Sequence, residues 1–133
     1  MEMPNKVRPV LPAAILNGIV TPEEEFQNKV LRPIIKMQSD LLMAHVSAQL
    51  KALKIEWDQL TALKRKDTLT ALLTKDQLFK SEIVGIVLGQ FEVAEYQTYR
   101  THPKELNKRI TQMVLNRAID LLGWSFCHSF FKD

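Results

Sequence analysis

The residues best suited to chemistry in this chain are few and widely spaced. Its histidines are His45, His102 and His128, and its one cysteine is Cys127. A metal site needs several nitrogen, sulfur or carboxylate donors converging on one point, normally with a pair at short, regular spacing. The chain has no HExxH, no CxxC and no EF-hand loop, and Cys127-His128 offers half a site at most, so no metal or other cofactor is expected. A serine nucleophile would stand in a GxSxG elbow, and a phosphate cradle would read as a glycine-rich loop with its lysine. Neither pattern occurs: Gly85 and Gly89 bracket Leu88 without that lysine, and Cys127 has only the adjacent imidazole to activate it.

Three sets of side chains remain as binding candidates. The first is His45 with Tyr96, Tyr99 and Arg100. His45 stands between Leu41-Leu42 and Val46, where it reads either as a titrating group in a pocket or as a boundary histidine with its polar tip in water. Tyr96 and Tyr99, three apart, could line a ligand slot, but a packed helix face is the favoured reading. The second set is basic: Lys64-Arg65-Lys66, and Arg100, Lys104, Lys108 and Arg109, which could follow a phosphate backbone. Glu105 interrupts it, no aromatic residue is interleaved and no helix-turn-helix glycine precedes it, so a solvated helix face is the favoured reading. The third is the aromatic segment Trp124, Phe126, Phe130 and Phe131, a candidate interface because such a patch is costly to leave in water.

The elements that must position these residues read as helices. Thr21-Pro22-Glu23-Glu24 is a helix start, with a capping hydroxyl, a proline at the first position and carboxylates against the orphan amides. From Phe26 a wide apolar stripe follows, through Val30, Leu31, Ile34, Ile35, Met37, Leu41, Leu42, Val46, Leu50 and Leu53; Leu41 is expected in the core. Pro33 predicts a kink or short break near Leu31 and Arg32. Ile55, Trp57 and Leu60 form an inward-packing connection, and Thr61 caps a helix through Leu63, Leu69, Leu72 and Leu73. Thr74-Lys75-Asp76-Gln77 has capping-box spacing for a third helix ending near Gly89. Ile83 to Leu88 is apolar enough for a buried strand, but the cap before it and the absence of a partner strand favour helix, with Gly85 allowing another helix to come close. Glu92 to Arg100 is a short helix; His102-Pro103 marks a restart, and Lys104 to Leu122 is the last helix, stopped by Gly123.

The expected architecture is therefore all-α: a compact bundle of about five helices over residues 21–123, an extended leader over 1–20 and an aromatic tail over 124–133. With 133 residues, 46% apolar and 25% charged, the chain suits one globular domain. Pro12, Asn17 and Gly18 interrupt the apolar stretch from Val10 to Val20, so no secretory signal is expected, and no run is long enough to span a bilayer. The leader's Val10, Leu11, Ile15, Leu16, Ile19 and Val20 are expected along a groove of the body. With a single cysteine, a reducing, cytoplasmic setting fits. A formal charge of +3 and a pI of about 9.1 are modest for a nucleic-acid binder.

The segments Phe26-Gln27-Asn28-Lys29-Val30-Leu31-Arg32-Pro33-Ile34-Ile35-Lys36, Val87-Leu88-Gly89-Gln90-Phe91 and Asn107-Lys108-Arg109-Ile110 resemble small uncharacterised bacterial helical proteins, some labelled glyoxalase. The resemblance covers residues 22 to 122. Glyoxalases as known families are βαβββ metal enzymes or metallo-β-lactamase-like hydrolases. This sequence shows neither their strands nor their ligand sets, so the resemblance implies no catalytic residue here. The reading that follows is a non-catalytic interaction or regulatory module, with a protein partner or itself as a homodimer through the aromatic tail. The alternatives are a weak nucleic-acid binder using basic helix faces, and a small-molecule binder or enzyme around His45, Tyr96 and Tyr99.

Overall fold

The computed structural model describes Arg8 and residues 21–123, and every regular element among them is helical. Thr21 opens the first helix: its hydroxyl accepts the Glu24 N–H at 3.1 Å, while Pro22 and the carboxylates of Glu23, Glu24 and Glu25 fill the first turn. This helix, α1 (Pro22–Phe26), continues into a π-helical turn (Gln27–Leu31) and then α2 (Arg32–Met37). The break expected at Leu31 and Arg32 is thus a widened turn. The Arg32 N–H reaches back five residues to the Gln27 carbonyl, and Pro33, with no N–H to donate, sits in the first turn of α2. Helical angles are interrupted instead at Gln38 (φ −94°, ψ 10°), just before α3 (Ser39–Ala52).

At its far end α3 stops in a Schellman arrangement. The Ile55 N–H bonds to the Leu50 carbonyl at 3.1 Å and the Lys54 N–H to the Lys51 carbonyl at 2.9 Å, with Lys54 left-handed at φ 57°. A 3₁₀ turn (Trp57–Gln59) leads to α4 (Ala62–Lys75), whose cap is Thr61, accepting the Lys64 N–H at 3.2 Å. The next cap is Asp76, which accepts the Phe79 N–H at 3.1 Å and starts α5 (Gln77–Leu88). Thr74, expected to cap, stays inside α4 with its hydroxyl on the Thr70 carbonyl at 2.6 Å. Ile83 to Leu88 is helical. Gly85, however, has nothing within 4 Å of where a Cβ would stand, so no neighbouring helix uses its small size. A reciprocal box between Glu92 and Glu95 starts α6 (Val93–Thr101), and Pro103 begins α7 (Pro103–Leu122).

The long α7 packs against α2, α3, α4, α5, α6 and the π turn. Its Leu106, Ile110, Val114, Ala118 and Leu122 are buried against Leu31, Ile34, Leu42, Leu69, Leu73 and Ile83 in one core. The stripe on α3 is narrower than its composition suggested. Leu42, Met43, Val46 and Leu50 are fully buried, whereas Leu41 is 46% and Leu53 52% exposed. Each residue turns about 100° around the axis, so Leu41 stands on the flank of the face that Leu42, Val46 and Leu50 share. Leu63 and Leu121 are exposed as well.

Trp57 is buried and donates its indole N–H to the Leu122 carbonyl at 3.1 Å, tying the connection before α4 to the end of α7. The start of α4 therefore lies at the carboxyl end of α7, and the two helices run antiparallel. Ahead of the bundle, the Arg8 guanidinium forks onto Glu95, at 2.6 Å and 2.8 Å, and also bonds the Gln90 carbonyl. The apolar leader residues and the aromatic set Trp124, Phe126, Phe130 and Phe131 lie outside the described residues. Among the described residues no helix is long and apolar enough to cross a membrane.

Candidate functional site

A cleft of about 620 Å³ opens where the last turn of α4 meets α5 and the first half of α7. Helix periodicity explains its walls. Gln77, Lys80, Ser81 and Val84 lie on one face of α5, the last three of them three, four and seven residues along from the first, and Lys104, Asn107, Lys108 and Thr111 do the same on α7. Leu73, Val84 and Leu115, all buried, supply the apolar part.

The polar groups of the cleft are held by their own helices or by a neighbour. Thr74 donates to the Thr70 carbonyl at 2.6 Å, Ser81 to Gln77 at 3.0 Å and Thr111 to Asn107 at 2.7 Å. Each hydroxyl proton is thereby directed into the helix backbone. Tyr99, buried on α6 beside Phe91, donates its phenol to Asn107 Oδ1 at 2.6 Å, which leaves the Asn107 NH₂ as a donor. Lys80, Lys104 and Lys108 make no ion pair with a described carboxylate. No histidine, cysteine, aspartate or glutamate lines the cleft among the described residues.

The set built around His45 is not assembled in one place. His45 meets Glu82 of α5 at 3.0 Å and stacks on Phe79, with ring centroids 4.9 Å apart and planes 9° from parallel. Tyr99 is buried and reaches the cleft only through Asn107, while Tyr96, 6.0 Å from Tyr99, and Arg100 are exposed on α6. No described contact joins His45 to Tyr96, Tyr99 or Arg100.

The two basic clusters also part company. Arg65 is buried, donates its Nε–H to the Trp57 carbonyl at 3.0 Å and lies 5.5 Å from the Trp57 ring centre, so it belongs to the core rather than to a basic face. Arg109 donates to Gln27 Oε1 at 2.8 Å, and its Nε, 3.3 Å from Glu105, is not aligned as a hydrogen bond. Lys104 and Lys108 border the cleft, whereas Lys64 and Lys66 are exposed near the opposite end of α7. What the spacing of Lys104 and Lys108 did not reveal is Lys80, brought alongside by the α4–α5 reversal at Asp76.

Arg8 and Glu95 make a further charged site that the chain-order reading missed, since 87 positions separate them. The Arg8 hydrogen bonds hold the Glu95 carboxyl below its ordinary range, helped by the Glu92 amide and opposed by burial. The same pairing raises Arg8 above its ordinary value, again against burial.

No protein-family model, curated protein or solved structure matches the chain. Among the described residues no group of three or more His, Cys, Asp or Glu is placed to hold a metal ion.

Proposed function

We propose that this chain is a non-catalytic helical binding module that works through the cleft bordered by α4, α5 and α7. The observation that carries the reading is the composition of that cleft: ammonium groups, amides, back-bonded hydroxyls and aliphatic side chains. Nucleophilic catalysis needs a hydroxyl or thiol aimed at a base, and general acid–base work needs a carboxyl or imidazole within reach of the substrate. The hydroxyls here point their protons at carbonyls one turn back, and the described histidines and carboxylates stand elsewhere. Such a lining recognises a ligand by shape, hydrogen bonding and charge. Its volume lies within the range of about 300 to 1,000 Å³ usual for ligand pockets.

Amide chemical-shift mapping of the full chain against a panel of small neutral and charged fragments tests the reading. Fragments should perturb Lys80, Asn107, Thr111 and their neighbours, with saturation. Perturbation centred on His45 and Glu82, or on Tyr96 and Arg100, would move the site to those residues and end this proposal.

A further inference from the structure

We infer that the cleft selects a small organic anion, an acidic head on an apolar body, over the neutral or cationic molecule with the same body. The inference rests on the cleft being the binding site and names its ligand class. Lys80 from α5 and Lys104 and Lys108 from α7 border one opening, without a described carboxylate in ion-pair contact. Nearby acids are engaged elsewhere. Asp76 caps α5 through the Phe79 N–H, Glu82 faces His45, and Glu105 lies against Arg109. A concave wall with one sign of charge raises the local concentration of the opposite sign and repels its own.

The same cleft explains why a bare ion would be a poor ligand. Leu73, Val84 and Leu115 close its floor with little surface of their own exposed, and the carbon stems of the lining lysines and glutamines add an apolar surface that a hydrocarbon body can cover and a bare ion cannot. At the polar rim, Asn107 has its oxygen occupied by Tyr99 and offers N–H donors, which suit the oxygens of a carboxylate, sulfonate or phosphate head.

The test titrates the isotope-labelled full chain with decanoate, decanol, decyltrimethylammonium and inorganic phosphate, each below any micelle-forming concentration, following amide shifts. Decanoate should saturate the cleft residues about tenfold more tightly than decanol, the ammonium should bind more weakly than either, and phosphate alone should not saturate. Lys104→Gln with Lys108→Gln should remove most of that preference, whereas Lys64→Gln with Lys66→Gln should leave it intact; circular dichroism checks that both variants fold. Equal affinity for decanoate and decanol at the cleft overturns the anion inference and leaves the binding module standing. So does a cleft that takes neutral fragments but not decanoate. If decanoate and the fragments alike perturb only residues outside the cleft, both readings fall.

Discussion

At the scale of single residues, burial rather than residue type decides what a substitution does. Leu41 and Leu42 are neighbours of identical chemistry, yet one is 46% exposed and the other fully buried. Leu42→Ala should cost about 2 to 5 kcal/mol by leaving a cavity, and Leu41→Ala less than about 1 kcal/mol. Urea denaturation of the two variants checks the difference; equal losses would mean that the α3 face is turned. Arg8 and Glu95 give a pH-dependent counterpart. A carboxyl held below its unfolded value, near 4.5, adds stability that is fully present above that value and is lost as pH falls through the lower folded value. The pair is only partly buried, so Arg8→Ala should cost less than about 1 kcal/mol near neutral pH. The gap between wild type and Arg8→Ala should then narrow as pH falls below that unfolded value, read as converging urea midpoints. A gap that persists would assign the stabilisation to the Gln90 carbonyl contact rather than to the carboxylate.

At the scale of elements, the caps show what the chain order disclosed and where it misled. Thr21 and Thr61 were legible because a hydroxyl preceding a helical pattern satisfies the orphan amides wherever the chain then goes. Thr74 fits such a pattern too, yet α4 runs on through it to Lys75, and the carboxylate of Asp76 caps α5 instead. Asp76→Ala should therefore cost about 1 kcal/mol and Thr74→Ala stay within about 0.5 kcal/mol, measured by thermal or urea unfolding. The end of α3 was illegible for a different reason: the left-handed residue that closes it is Lys54, not a glycine. Lys54→Gly should raise stability by up to about 1 kcal/mol, since the lysine Cβ is strained at φ 57° and glycine is not. The π turn at Gln27–Leu31 was legible only as a disturbance, because Pro33 announces a missing donor without saying how the chain accommodates it. The cleft was legible least. Lys104 and Lys108 could be put on one face of a helix, but Lys80 joins them through the α4–α5 reversal, which is a fact of packing.

At the scale of the whole molecule, the distribution of charge matters more than its total. A surplus of +3 permits phosphate binding, but a backbone tracker needs its cations along one continuous surface. Here they are dispersed. Arg65 is inside against Trp57, Arg109 is engaged by Gln27, and the remaining lysines of the two clusters stand near opposite ends of α7. From Lys104 to Leu122 that helix extends roughly 27 Å at about 1.5 Å per residue, several times the Debye length of about 8 Å at physiological salt, so the two ends do not act as one field. Among the described residues each cluster keeps only two or three exposed cations, few enough that counterion release gives a shallow salt slope. Duplex DNA and single-stranded RNA should accordingly bind no more tightly than the non-specific range of about 10⁻⁴ to 10⁻⁶ M at physiological salt, with little preference for sequence. Fluorescence anisotropy with labelled oligonucleotides over a salt series measures both the affinity and the slope. A nanomolar affinity, or a slope corresponding to six or more phosphates, would require a basic surface that the described residues do not form. It would also shift attention from the cleft to whichever face supplied it.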